Sequence, residues 1–226
     1  MNMNAQGKSG LQASLAGLLL AVCLAGCQSA GYQKSDAAAT TMQAAALDVQ
    51  SESHALEVTL TALRELATDP KGDLQARFMR FSKALDQFQA ASRQAEATGQ
   101  KMQREGAAYF AAWQKDADSI NYEIIRNGSM LRRTQVTNQF DVVTRRYQDT
   151  HSVVEPLIAY LQDIRTALEA DLTTDGIQAL KPIINNADEN ASRIQAAQAL
   201  LATELTASSS RMSSITPQNT TNTSQR

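Results

Sequence analysis

Cysteine is confined to positions 23 and 27 of this 226-residue chain, so the two hundred residues that follow have neither a disulfide nor a thiolate metal site available to them. Histidine is as scarce. His54 and His151 stand apart, each beside an apolar stripe rather than in it, and neither has a second His, Cys or carboxylate pair at ligand spacing. No metal or other cofactor is expected, and no catalytic residue presents itself, because nucleophilic chemistry needs a base within hydrogen-bond reach of the nucleophile. A glycine-rich phosphate loop is also lacking: Gly99 and Gly106 sit inside a helical pattern and read as small seam residues. The chain has no excess of positive charge. Its net charge is −2, and without residues 1–26, which contain Lys8 and no acid, 20 basic side chains face 23 acidic ones. Nucleic acid is therefore not an expected partner, since phosphate binding needs a concentrated positive face.

Proline and glycine number only 4 and 10, and what replaces them is Ala, Gln, Leu, Glu and Arg, the composition of long helices. The most regular stretch runs from Leu74 through Phe78, Phe81, Leu85, Phe88, Ser92, Ala95, Gly99, Met102, Gly106 and Tyr109 to Trp113, with apolar or small residues alternately four and three positions apart. A period of 3.5 on a helix of 3.6 residues per turn faces a partner continuously only if both helices supercoil, so the pattern specifies helix-on-helix packing. The spacing predicts one helix from near Asp73 to Asn127, about 80 Å long, its stripe carried on by Ala117, Ile120 and Ile124 after a stutter.

Three further stripes have the same period. Met42, Ala46, Val49, Ser53, Leu56, Leu60, Leu63 and Ala67 predict a first helix, ended by Thr68-Asp69-Pro70-Lys71-Gly72-Asp73, with Pro70 opening the next. Arg126-Asn127-Gly128-Ser129 reads as a helix end followed by an N-cap, with a third helix starting near Met130. Its seam runs from Val136 through Phe140, Val143, Tyr147, Thr150, Val154, Leu157, Leu161 and Ile164 to Leu168, with Pro156 expected to kink it. After a reversal at Asp171 to Gly176, a fourth seam runs from Ile177 to Leu205 and includes Gln198. Four such stripes can bury one another, so the fold expected is all-α, an elongated antiparallel coiled-coil bundle of about four helices. Residues 42–206 form that bundle, 27–41 a flexible tether and 207–226 a disordered tail poor in large apolar residues.

Residues 1–26 have the layout of an export signal: Lys8, an apolar run from Leu11 to Leu20 too short to span a bilayer, then small residues. Leu24-Ala25-Gly26-Cys27 resembles the lipobox of bacterial lipoproteins. The resemblance implies that the Cys27 sulfur receives a diacylglyceryl group, that the signal is cut before it, and that the new amino terminus is acylated, for example with palmitate. Gln28 stands where that family carries Asp when it is retained in the inner membrane, which points to the outer membrane, periplasmic side. Three acyl chains, each methylene worth about 0.8 kcal/mol, would hold such a protein firmly. Trp113, Leu131-Arg132, Thr144-Arg145-Arg146-Tyr147, Pro156-Leu157-Ile158, Asp163, Leu168, Leu172 and Ile177 are similar in spacing to a bacterial lipoprotein family known only as a domain of unknown function. Glu169-Ala170-Asp171 departs from its Lys-His-Asn stretch, and Gln135 and Gln139 replace a Ser and a Leu. The resemblance implies an elongated helical lipoprotein and supplies no activity.

Arg126, Arg132, Arg133, Arg145 and Arg146 crowd the start of the third helix. A solvated face explains them; the alternative is a partner-binding zone at Arg132, Arg133, Arg145 and Arg146 for an anionic envelope polymer or acidic protein. The small residues from Ser92 to Gly106 either let two helices approach closely or leave an apolar groove bordered by Met102 and Tyr109. The reading expected is a non-enzymatic, lipid-anchored envelope protein that acts as spacer or docking surface. The alternatives are a scaffold that self-assembles as a homo-oligomer during envelope stress, and a cryptic enzyme or ligand binder.

Overall fold

Four helices dominate the described residues, 31–68 and 72–214, of the computed structural model: α1 (Gly31–Thr68), α2 (Leu74–Asp118), α3 (Glu123–Ala170) and α4 (Thr174–Met212), with short connections at 119–122 and 171–173. The longest, α3, has 48 residues and is therefore about 72 Å long. Connections this short oblige consecutive helices to run antiparallel. Around the bundle α1 lies against α2 and α4, and α3 against the same two. The order is thus up, down, up, down, closed by α1 against α4.

The helix ends have local causes. Asp73 is the N-cap of α2, its carboxylate accepting from the Ala76 amide at 2.9 Å, so the helix opens at Leu74 rather than at Pro70, which lies outside the described residues. Thr173 caps α4 in the same way, its hydroxyl accepting from the Gly176 amide at 3.1 Å. Position 176 must be glycine, because a Cβ there would fall 2.4 Å from the Asp171 carbonyl oxygen. Pro156 and Pro182 lie inside α3 and α4, which run through them on exposed positions, where water can take the carbonyl freed by each missing amide.

Three expected boundaries are corrected. The second helix stops at Asp118, where the Ser119 hydroxyl donates to the Asp116 carbonyl at 2.7 Å and competes with the helical ladder. Consequently α3 starts at Glu123, an acid at the positive end of the helix, and Gly128 and Ser129 lie within it. Ser129 is no cap: it accepts the indole N–H of Trp113 at 2.9 Å. Ile124 leaves the stripe altogether and is 84% exposed. The second correction concerns the tether, since residues 31–41 are the first turns of α1, with Ser35, Ala38, Ala39 and Thr41 buried. The third concerns the tail, where α4 continues to Met212 and buries Ser208, Ser209 and Met212. These two ends hold each other. Asp36 accepts the Ser214 amide and hydroxyl, both at 2.7 Å, and the Ser35 hydroxyl donates to the Met212 carbonyl. Those bonds from Ser214 hold the Asp36 carboxyl below its usual range.

The seams themselves are interior. Phe81, Leu85, Phe88, Met102, Val136, Phe140, Tyr147, Leu161, Ile177 and Leu201 are all buried. On α1 a second row, Ala38, Ala45, Glu52, Thr59 and Leu66, is buried beside the first, which gives this helix the broad face needed to meet two neighbours. Buried apolar residues form two clusters. One spans Leu56 to Ala67 with Phe81 to Phe88, Val154 to Leu168 and Ile177 to Ile194; the other spans Ala38 to Val49 with Met102 to Phe110, Val136 to Tyr147 and Leu201 to Met212.

Candidate functional site

Between the two apolar clusters the interior is polar, and Glu52 is its centre. Its place in the second row of α1 turns it inward, where it is 2% exposed. Its Oε2 accepts from the Gln198 side-chain amide of α4 at 2.8 Å. Ser92 of α2 is buried beside them, and half-buried Thr150 of α3 falls between Tyr147 of one cluster and Val154 of the other. Glu52, Ser92 and Gln198 thus bring three helices to one polar layer, and on α3 the charge of His151, next to Thr150, acts on the same carboxyl. Burial pushes the Glu52 carboxyl above its ordinary value near 4.5, opposed by Ser92, by Gln198 and by charge at His151. Glu52 Oε1 and Gln198 Oε1 both lack a hydrogen-bond partner. Protonation would turn one Glu52 oxygen from an acceptor into a donor.

Tyr147 bounds the layer on the side of the second cluster. Its hydroxyl donates to the Ala95 carbonyl, and its ring lies over Gly99, where a Cβ would meet Cε1 at 2.2 Å. Burial, reinforced by the negative charges of Glu52, Asp48 and Glu96, raises the pKa of the phenol. His151, 27% exposed, stands 4.0 Å from a carboxylate oxygen of Glu96. Among the described residues no group of three or more His, Cys, Asp or Glu is placed to hold a metal ion. Chemically the layer is a buried carboxyl held across the bundle by the Gln198 amide, with acceptor capacity left over, and it resists any shift of register that would move Glu52 into an apolar cluster.

The four arginines do not converge. Arg132 and Arg145 are about 20 Å apart along α3 and both exposed. Arg133 donates to the Phe110 carbonyl at 3.0 Å, and Arg146 pairs with Glu204 of α4, so both have partners within the bundle. The space that the alternative reading left as a groove between Ser92 and Gly106 is filled by this chain itself: Tyr147 covers Gly99, and Phe140 covers Gly106, whose Cβ would fall 2.2 Å from the ring. Close helix approach is the reading that holds. Cys27, the expected lipid-attachment residue, lies outside the described residues.

Residues 24–206 match the family described as Protein of unknown function (DUF2959). The chain belongs to that family. The DUF2959 match takes in Cys27, the whole polar layer and both apolar clusters up to Leu205. Neither the curated proteins nor the solved structures gave a match to the chain. No helix among the described residues of this DUF2959 protein is long and apolar enough to cross a membrane.

The heptad spacing on α1 places Ser53 on the seam, whereas the residue turned inward is its neighbour Glu52. A signal for the layer was nevertheless present: Ser92, Thr150 and Gln198 interrupt their seams as polar residues at corresponding heights.

Proposed function

We propose that this DUF2959 protein is a non-enzymatic lipoprotein of the cell envelope, anchored in the outer membrane through acylated Cys27, with its four-helix rod standing in the periplasm as a spacer or docking surface. The observation that carries this reading is the short distance in sequence from Cys27 to Gly31, where α1 begins. Four residues reach at most about 14 Å, so an anchor at Cys27 holds the end of the rod against the bilayer and sends its length outward by about 70 Å. Leu24-Ala25-Gly26 before Cys27 and Gln28 after it support the anchor and its address. Satisfaction of all four seams within one chain favours a rod that acts as a single copy over a scaffold whose stripes need a second one.

Mass spectrometry of the amino-terminal peptide from membrane-extracted protein tests the anchor. The expected product begins at Cys27 and carries a diacylglyceryl group and an amide-linked acyl chain, all lost in Cys27→Ser. A mature chain that begins beyond Cys27, or one free of lipid, overturns the reading.

A further inference from the structure

The ends of the rod differ in what they expose. Where α2 passes into α3, Tyr122 is 75% exposed, Ile124 84%, Ile125 58% and Leu131 64%, all within the first turns of α3 or its cap. Nothing lies within 4 Å of the position a Cβ would take at Gly128, between Ile124 and Leu131 on the same face. Other exposed large apolar residues, such as Leu47, Met79, Val142 and Leu200, are scattered singly along the rod. Isolated apolar residues on a surface are ordinary, whereas a contiguous group marks a contact.

This apolar tip belongs to the end where α1 begins. Gly31 adjoins the last turn of α2, its Cβ position 3.2 Å from an Asp116 carboxylate oxygen. Tyr32, itself 59% exposed, shares one cavity of about 550 Å³ with Trp113, Ile120 and Met212. Arg126 ties the connection down by donating to the Ile120 carbonyl at 3.0 Å, so the tip is presented on a braced turn. The flanking charges are mixed: Lys115 and Arg126 against Asp116, Asp118 and Glu123.

We propose that Tyr122, Ile124, Ile125 and Tyr32 form a lipid-contact surface that rests in the interfacial region of the bilayer to which the chain is anchored. The proposal rests on the anchoring reading, because a link from Cys27 of at most about 14 Å keeps this end, and no other, within reach of the headgroups. Tyr and Ile suit that depth, the aromatic ring with its polar edge at the headgroups and the aliphatic chains below. With flanking charges of both signs, contact depends on apolar burial and needs no anionic lipid.

The test uses the full-length protein purified from its membrane and placed in vesicles of a zwitterionic phospholipid. An environment-sensitive fluorophore is attached at Ile124→Cys or Tyr122→Cys, and at Met79→Cys near the far end of α2. Ile124 and Met79 make little of the core, so labelling leaves the fold intact. The tip labels are expected to shift to the blue on addition of vesicles and to be quenched by a lipid-borne quencher, with neither change at position 79. Mass spectrometry of the same sample reports whether Cys27 carries acyl chains. An acylated protein whose tip labels stay water-like sinks the lipid contact while leaving the anchor standing. A lipid-free protein sinks the anchor, and the tip is then judged by whether its labels still shift with added vesicles. A blue shift that needs no vesicles and fades on dilution identifies a second copy of the chain as the occupant and overturns the proposal.

Discussion

The half of the bundle towards the 171–173 reversal and the half towards the 119–122 connection bury the same four seams with different side chains. In the first half, Leu56, Leu60, Leu63, Phe81, Leu85, Phe88, Leu161, Leu168, Ile177 and Ile184 meet as large groups contributed by every helix. In the second, α1 contributes Ala38, Ala39, Ala45 and Ala46 beside Met42, and the bulk comes from Tyr109, Phe110, Phe140 and Tyr147. The difference shows two ways of filling one cross-section. Where all four helices carry large apolar residues, no one position is decisive. Where one helix presents alanine and another glycine, each ring has a place made for it, and the fit depends on specific pairs.

The sharpest way to break this contrast is Gly106→Ala. At an open helical site the change would be favourable by up to about 1 kcal/mol, since glycine carries more backbone entropy into the unfolded state. At position 106 the added Cβ would lie 2.2 Å from Phe140 Cζ and 2.7 Å from both Cε atoms, and that ring is itself buried and edge-on to Phe110. We expect a net loss of about 1–3 kcal/mol in chemical denaturation, the usual range for overpacking. Adding Phe140→Leu should recover part of it. Denaturation no weaker than in the parent chain would mean that the second half is as loosely specified as the first.

The polar layer between the halves yields the next effect, through Glu52→Gln. Glutamine keeps the acceptor for the Gln198 amide and removes the cost of a buried charge. Because burial raises the carboxyl pKa in the folded state, the folded chain holds the proton to higher pH than the unfolded one. Stability from this group is complete below about 4.5 and falls as pH rises through the raised value. Asp36 and Glu57, held below their usual range by hydrogen bonds from Ser214 and from Gln195 and Arg64, act in the opposite direction and are common to both chains. We therefore expect Glu52→Gln to gain about 1–2 kcal/mol at pH 8, with the gain shrinking towards pH 4. A difference between the two melting curves that does not change with pH would refute a buried ionisable Glu52.

How far each half was legible follows from the size of its side chains. Leu, Ile and Phe at alternating three and four announce a seam, and the first half is buried where the spacing predicts. Ala38, Ala39, Ser35, Ser208 and Ser209 are buried too, without any such mark, because small side chains suit both a tether and a closely approached helix. The spacing therefore reveals neither the first turns of α1 nor the last of α4. The glycine-ring pairs were half legible: Gly99 and Gly106 stood in one seam, Phe140 and Tyr147 in another, and only the register of α2 on α3 joins them. At the end of α2 the sequence points to Gly128, which resembles a helix terminator, whereas Ser119 competes for the ladder through a bond that periodicity does not reveal. For the lipid anchor at Cys27, the expectation comes from the residues around it.

The smallest predicted effect separates the two readings of Gly128 and completes the comparison with Gly106. Had Gly128 ended a helix in the left-handed conformation, alanine there would be strained and would destabilise the protein. Inside α3, exposed and with nothing within 4 Å of the added Cβ, the same substitution gains helix propensity at no steric cost. We expect Gly128→Ala to raise stability by about 0.5–1 kcal/mol, opposite in sign to Gly106→Ala. The two replacements add the same methyl group to two helices of one bundle, so their difference isolates what surrounds each site. A loss at both positions would return the helix boundary to Asn127 and with it the single long helix that the heptad spacing predicts.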